Sequence, residues 1–122
     1  MLKKVSGVIE IESHIDSIDN IFSDIEEISI YRIVQESLNN IIKHSNASDA
    51  IVMIKREENR IFIIIEDNGK GFDVADVKSA GGGFGLVGLM ERAQLLGGEL
   101  IINSMPEEGT KIEVKILIPK LQ

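Results

Sequence analysis

The sequence contains no cysteine and few aromatic residues. Without cysteine, a disulfide scaffold and a cysteine-based zinc site are excluded, and the composition fits a reducing compartment. Aromatic side chains make up 4% of the chain and hydrophobic residues 43%, so the core is expected to be aliphatic and rich in isoleucine. A chain of 122 residues has the size of one domain, and we assign residues 1–122 to a single domain.

Long apolar runs and an excess of positive charge are also missing. The longest apolar run, residues 61–65, is far shorter than the roughly 18 residues of a membrane-spanning helix. No long apolar stretch follows the first four residues, so they do not form a secretory signal. The net charge of −7 disfavours binding to nucleic acid and anionic membranes. We therefore expect no nucleic-acid partner and no direct membrane contact by this domain.

Hydrophobic spacing predicts five strands and two helices. The predicted strands are residues 5–15, 51–55, 60–66, 100–104 and 111–118, and the predicted helices are residues 25–44 and 86–96. The first strand is expected to have one solvent-exposed face. Residues 67–88 hold seven of the eleven glycines and are predicted to be mostly loop. Hairpins interspersed with helices indicate an α+β two-layer sandwich, with helices on one face of a mixed, mostly antiparallel sheet.

The first predicted helix carries four functional side chains on one face. Asn40, Lys43 and His44 follow Glu36 by four, seven and eight residues. The carboxylate and the amide oxygen are hard ligands suited to Mg²⁺, and the cation and the imidazole can reach phosphate oxygens. A solvated amphipathic face has the same composition, so the helix alone leaves both interpretations open.

A second motif follows the apolar strand. Asp67 at the strand end can accept a hydrogen bond from an exocyclic amine such as that of adenine. Gly69 and Gly71 would let the backbone pass close to a flat ring. An ordinary Asp-Asn-Gly turn is the alternative.

The third motif, residues 81–88, is rich in glycine and leads into the second predicted helix. Glycine-rich backbone at a helix N-terminus forms an anion site, and a flexible connector is the alternative. Gly83, Gly85 and Gly88 match a dinucleotide fingerprint, but residues 73–82 do not have the pattern of the strand that this fingerprint requires. No P-loop motif is present. Thr110 after Gly109 is a weaker signal, which a hairpin end also explains.

Together and in this order, the motifs resemble the ATPase domain of sensor histidine kinases. More narrowly, they are similar to the nitrate-sensor subfamily, whose regulators are of the LuxR type. The matching segments are residues 31–40, Lys43, His44, Ala47, and residues 67–72, 83–93, 96–98 and 109–110. The resemblance covers residues 8–119. It implies the Bergerat ATP-binding fold, which gyrase, the ATP-driven heat-shock chaperone and the mismatch-repair ATPase share.

The resemblance also implies the roles of individual residues. The catalytic group would be Glu36, Asn40 and Lys43, and Asn40 with Glu36 would hold Mg²⁺. The residues that bind ATP would be Asn40, Lys43, His44, Asp67, Gly69, Gly71, Gly83, Gly85, Leu86 and Thr110. In this assignment Asp67 and Thr110 contact the base, the glycines line the base and the phosphates, and residues 73–84 form a short lid.

Two features depart from the family pattern. Ser45 stands where this subfamily usually has a small apolar residue, so the helix is expected to end differently beside the phosphates. No phosphoacceptor segment is found, since His14 lies in a strand pattern and His44 in the nucleotide helix. We therefore expect part of a longer protein.

The resemblance implies the catalytic domain of a protein histidine kinase in two-component signal transduction. Its partners would be its own dimerisation and phosphoacceptor domain, missing here, and a response regulator. A cytoplasmic location is expected, with the membrane attachment of the parent protein left open. The alternatives are an anti-sigma-type serine kinase or switch module on the same fold, and an ATPase clamp in which Glu36 activates water. The clamp proteins have a longer lid.

Overall fold

The computed structural model describes residues 8–75 and 85–118, and their sheet has five strands. The strands are β1 (Glu10–Ile15), β2 (Asp49–Glu57), β3 (Arg60–Asp67), β4 (Gly98–Ser104) and β5 (Thr110–Leu117). Their spatial order is β1-β2-β3-β5-β4. β1 is parallel to β2, and every other neighbouring pair is antiparallel. The predicted mixed, mostly antiparallel sheet is therefore confirmed.

The longer helix, α1 (Asp24–Asn40), begins at a capping box. The Ser23 hydroxyl accepts a hydrogen bond from the Glu26 amide, and the Ser23 amide donates to the Glu26 carboxylate. These two bonds satisfy backbone donors that a helix start leaves unpaired. Acidic side chains in the first turn also suit the helix dipole. The capping box therefore fixes where the helix starts.

The shorter helix, α2 (Leu86–Leu95), has Leu96 as its C-cap residue and is followed by Gly97. Gly97 adopts a left-handed conformation, with φ of 69°, and its amide donates to the Gln94 carbonyl. The residues of α2 that face the core are Leu86, Leu89 and Ala93. Three- and four-residue spacing of this kind places them on one stripe, which packs on α1 and β4.

The core lies between these two helices and one face of the sheet. Alternate residues of β3 and β5 point into it, and they are Ile61, Ile63, Ile65, Ile112, Val114 and Ile116. Each of them is at most 6% exposed, and the buried hydrophobic residues of the described chain are all aliphatic. The expected two-layer arrangement and aliphatic core are confirmed. The assignment of residues 1–122 to a single domain stays a prediction.

The first strand differs from its prediction. All six residues of β1 are exposed, with Ile11 at 47% and Ile15 at 56%, whereas one buried face was expected. β1 lies at the edge of the sheet beside β2, and Ile9, just before it, makes the partly buried contact with the core. The strand starts at Glu10, and residues 5–7 of the predicted strand lie outside the described residues.

α1 continues into a π-helical turn, Ile41–Ser45, and not into a further α-helical turn as predicted. The Ser45 hydroxyl donates to the Ile41 carbonyl at 2.6 Å and accepts a hydrogen bond from the Ala47 amide at 3.1 Å. Asn46 then ends the helix in a left-handed conformation, with φ of 57°. Short π turns occur often at functional sites. The unusual Ser45 is thus part of a different helix ending, as the sequence indicated.

Candidate functional site

Two polar residues face the helices at one end of the sheet. Asp67 continues the inward-facing series of β3, and Thr110 begins that of β5. The strand register pairs Asp67 directly with Thr110. Because directly paired residues project from the same face, the carboxylate and the hydroxyl lie side by side. The apolar core therefore ends in two polar groups at this edge.

Asp67 is a buried carboxyl group, with 8% of the residue exposed. The Gly69 amide donates to its Oδ1 at 2.7 Å. Burial raises the pKa of the Asp67 carboxyl above its ordinary value, while the Gly69 hydrogen bond opposes the shift and the charge of Glu66 adds to it. A buried carboxylate is stable only where its oxygens are paired. Asp67 therefore favours a ligand that donates a hydrogen bond.

A cavity that is partly open to solvent lies in front of these two residues. Its lining residues are Ser37, Asn40, Ile41, His44, Ser45, Ile65, Asp67, Lys70, Gly71, Phe72, Leu86, Thr110 and Ile112. They come from α1, the π turn, the loop after β3, α2 and the β3–β5 pair. Six of the sequence-predicted site residues are among them, so the structure brings together segments that are far apart in the chain.

The helical wall of the cavity carries Asn40 and His44, both predicted to be ligands. Lys43 is exposed and does not line the cavity. Glu36 lies one turn before Asn40, near the start of α2: its Oε1 is 3.7 Å from Arg92 Nε and would be 3.0 Å from a Cβ added to Gly88. Glu36 is therefore packed between the two helices.

Glycine is required where the loop after β3 passes the helix end. A Cβ on Gly69 would overlap the Ser45 carbonyl oxygen and lie 2.7 Å from the Ser45 Cβ. The Lys70 amide donates to that same Ser45 carbonyl at 2.8 Å. The amides of Ser48 and Asp49 both donate to the Asn68 side-chain oxygen at 3.0 Å. The loop is thus fastened to the π turn and to the start of β2.

Gly71 provides a stability prediction with a matched control. It has φ of 62°, and a Cβ there would overlap the Met105 carbonyl oxygen and lie 2.8 Å from the Gly109 carbonyl oxygen. Gly97 has a similar φ of 69°, but no described atom lies within 4 Å of its added Cβ. Gly97→Ala is expected to lower the free energy of unfolding by about 1 kcal/mol through backbone strain alone. Gly71→Ala adds a steric clash and is expected to lower it by roughly 3 kcal/mol or more.

Urea denaturation of the two glycine variants measures this difference. Equal losses would show that the loop moves away from the β4–β5 turn at no energetic cost, contrary to the contacts described. The measurement needs no ligand.

The start of α2 forms a third side of the site. Gly85 is its N-cap residue, with φ of 70° and no side-chain hydrogen bond to the helix amides. A Cβ on Gly85 would lie 3.5 Å from Glu36 and 3.6 Å from Asn40. An uncapped helix N-terminus beside the cavity is able to bind an anion. Gly83 and residues 76–84 of the predicted lid lie outside the described residues.

Sequence reasoning missed one polar residue that lines the cavity and a second that lies beside it. Ser37 is fully buried, lines the cavity, and its hydroxyl has no hydrogen-bond partner among the described residues. Ser104 at the end of β4 pairs with Thr110. Ser37 lies three residues before Asn40, so helical spacing could have indicated that the two side chains share a face. The register of the β4–β5 hairpin could have indicated that Ser104 lies opposite Thr110.

The site fits a purine nucleotide, judged by its polar groups. Asp67 is a buried acceptor, the Ser37 hydroxyl is buried without a partner among the described residues, and the N-cap residue of α2 is Gly85, which has no side chain to cap it. No cluster of three or more His, Asp or Glu side chains that could hold a metal ion occurs in residues 8–75 and 85–118. Asn40 and Glu36 could hold Mg²⁺ only together with ligand oxygens, which is the usual arrangement for Mg²⁺ on phosphates.

Comparison with known proteins identifies the family. Residues 25–120 match the family described as histidine kinase-, DNA gyrase B-, and HSP90-like ATPase. This match covers most of the chain, and the chain belongs to that family. The expected ATPase domain of the Bergerat type is therefore confirmed, while the nitrate-sensor subfamily stays a prediction.

The curated relatives are named as histidine kinases. The chain is 43% identical over 97 residues to the signal transduction histidine-protein kinase/phosphatase DegS of Brevibacillus brevis, covering 80% of this chain and 25% of that protein. It is 37% identical over 108 residues to UhpB of Salmonella typhimurium, a kinase/phosphatase of the same description, covering 87% of this chain and 21% of that protein. The chain thus spans about a quarter or less of these relatives.

A solved structure supports the fold. The blue-light activated histidine kinase of Erythrobacter litoralis EL346 superimposes with a TM-score of 0.78 over 96% of this chain and 40% of that chain. The sequence identity is 19%, so this likeness concerns the fold alone. In the described part of the present chain, no helix is long and apolar enough to cross a membrane.

Proposed function

We propose that this domain binds Mg-ATP and donates the γ-phosphoryl group to a histidine on a separate dimerisation and phosphoacceptor domain. A response regulator would then receive the phosphoryl group in a cytoplasmic two-component pathway. The observation that carries the proposal is the cavity between Asp67 with Thr110 on the sheet and Asn40 with His44 on the helix. The names of the relatives support a kinase role.

The sheet side of the cavity would bind the adenine base. One oxygen of Asp67 accepts a hydrogen bond from the Gly69 amide, and its second oxygen can accept a hydrogen bond from the exocyclic amine. Ile65 and Ile112 pair just behind the two polar residues and supply apolar surface for the ring. A flat apolar slot with few polar groups is the usual form of a base pocket.

The helix side would bind the phosphates. Asn40 and His44 line the cavity, and the amides at the start of α2 face the same region beside Gly85 and Leu86. Lys43 is exposed one residue before His44 and can approach phosphate oxygens from solvent. Backbone amides and a cation compensate for the acidic net charge of the chain.

Residues of this chain would position the reactants, and the nucleophile would come from the acceptor domain. Asn40 and Glu36 would hold Mg²⁺, which when bound neutralises charge on the phosphate oxygens. Phosphoryl transfer depends mainly on such positioning and charge neutralisation. The π turn fixes the end of α1, and through it the direction of His44, by the hydrogen bonds of Ser45.

Nucleotide titration followed by backbone amide spectra tests the proposal. Saturating Mg-ATP is expected to shift the amide signals of Asp67 and Gly69 on the sheet side and of Asn40 on the helix side. Signals of exposed residues of the edge strand β1, such as Ser13, which do not line the cavity, serve as the internal control. Unchanged signals at both Asp67 and Asn40 would rule out the assigned site.

A further inference from the structure

The Ser104 hydroxyl lies just behind the predicted base-contacting residue Thr110. It makes three hydrogen-bond contacts: with the Phe72 amide at 2.9 Å, the Gly109 carbonyl oxygen at 3.0 Å and the Thr110 hydroxyl at 2.8 Å. These partners come from the loop after β3 and from the start of β5. Ser104 itself ends β4 and pairs with Thr110 across the β4–β5 ladder.

The direction of each of these bonds follows from the inventory of donors and acceptors. A hydroxyl group has one proton to donate and two lone pairs to accept with. The Phe72 amide can only donate to Ser104, and the Gly109 carbonyl can only accept from it. When all three contacts are hydrogen bonds, the single Ser104 proton goes to the Gly109 carbonyl and Thr110 donates its proton to Ser104.

This assignment fixes what Thr110 presents to the cavity. With its only proton directed to Ser104, the Thr110 hydroxyl has only lone pairs left for a ligand. Asp67, its direct neighbour across the β3–β5 ladder, is an acceptor as a carboxylate. Both polar groups at this end of the cavity then accept hydrogen bonds, so this end favours an amine and disfavours a carbonyl oxygen.

We propose that Ser104 is a positioning residue for base specificity, which holds Thr110 as an acceptor so that the cavity selects a 6-aminopurine over a 6-oxopurine. The inference rests on the proposed nucleotide site and adds to it the residue that sets its selectivity. Ser104 does not line the cavity and acts through Thr110. A buried acceptor that faces another acceptor loses affinity because neither can supply a proton.

The test compares the affinities of ADP and inosine diphosphate, which differ at the 6-position and the adjacent ring nitrogen. The wild-type domain is expected to prefer ADP. Ser104→Ala frees the Thr110 proton, which can then rotate towards a 6-oxo group. The preference for ADP over inosine diphosphate is therefore expected to fall about fivefold or more, which corresponds to the net free energy of one ordinary hydrogen bond. Ser104→Thr keeps the hydroxyl and is expected to retain the preference.

A double-mutant comparison separates this role from a general structural one. Thr110→Val has nearly the same shape but no hydroxyl, so in its background Ser104→Ala should no longer change the ratio of the two affinities. A loss of fold or of loop packing would weaken both nucleotides equally and leave the ratio unchanged. If Ser104→Ala does not fold, Thr110→Val alone must lower the preference.

The outcomes distinguish the two proposals. An unchanged ratio in Ser104→Ala, or in Thr110→Val, would overturn the role of Ser104 while nucleotide binding stands. Equal binding of both nucleotides by the wild-type domain would also overturn it. Binding of neither nucleotide would overturn the proposed function and this inference together.

Discussion

Asp67→Asn is expected to weaken ADP binding by roughly 10- to 100-fold, the range for loss of a hydrogen bond to a charged group. The asparagine oxygen can still accept from the Gly69 amide, as Oδ1 of Asp67 does now. The second position then carries an NH₂ group, which faces the adenine amine as one donor facing another. The loop geometry is therefore retained while the recognition of the base is lost. Isothermal titration calorimetry measures the change.

Glu66→Gln is the matched control for the Asp67 variant. It removes one negative charge from the adjacent position of β3, but Glu66 is exposed and points to the opposite face of the sheet. ADP affinity is expected to change little in this variant. Similar losses in the two variants would indicate a general electrostatic effect and would contradict a direct contact between Asp67 and the base.

The same substitution has an opposite effect on the stability of the free domain. Because burial raises the pKa of Asp67 in the fold, the folded state holds this proton more tightly than the unfolded chain does. Its contribution to stability is therefore present at pH below the ordinary carboxyl pKa and is lost as pH rises through the raised pKa. Asp67→Asn removes this pH dependence. At neutral pH, urea denaturation should show a variant at least as stable as the wild type.

Local patterns predicted the helices and hairpins because the features that fix their ends are local. The start of β3 at Arg60 agrees with its prediction, and the end of α2 at Leu95 lies within one residue of its prediction. The acidic start of α1 likewise lies in its first turn, directly after the Ser23 cap. Elements bounded by caps and turns can be predicted from neighbouring residues alone.

Elements that depend on distant contacts could not be predicted in the same way. Alternation in β1 predicted one buried face, but edge position in the sheet, which sequence does not show, left both faces exposed. The π turn depends on the Ser45 hydroxyl and on the Lys70 amide, which is 25 positions further along the chain. Spacing along the helix carries no information on such a bond.

The candidate site likewise combines features that local sequence predicts with features that depend on distant contacts. The motifs indicated Asp67, Asn40 and Thr110 individually, and the cavity places them together. Their roles in binding remain predictions that the variants test. For Ser104, the hairpin register gives the pairing with Thr110, but the contact with the Phe72 amide joins segments that meet only in the fold.

Mg²⁺ is expected to strengthen ATP binding to the wild-type domain. Asn40→Ala is expected to reduce this strengthening by roughly 10- to 100-fold, the range for loss of groups that support a metal site. Few protein groups are available to hold the ion here, since only Glu36 lies beside Asn40 as a predicted ligand. ATP affinity measured with and without Mg²⁺ gives the coupling directly. Asn39→Ala is the matched control, because Asn39 is the preceding residue on the exposed face of α1 and should leave the coupling unchanged.

The two ends of the cavity should respond separately, because Asp67 lies on β3 and Asn40 on the opposite helical wall. Asp67→Asn should weaken adenosine, ADP and Mg-ATP by similar factors, since all three share the base. Asn40→Ala should weaken Mg-ATP and leave adenosine almost unchanged, since adenosine has no phosphate to bring a metal ion to the helix. Loss of adenosine binding in Asn40→Ala would place Asn40 against the base and reverse the proposed orientation of the nucleotide.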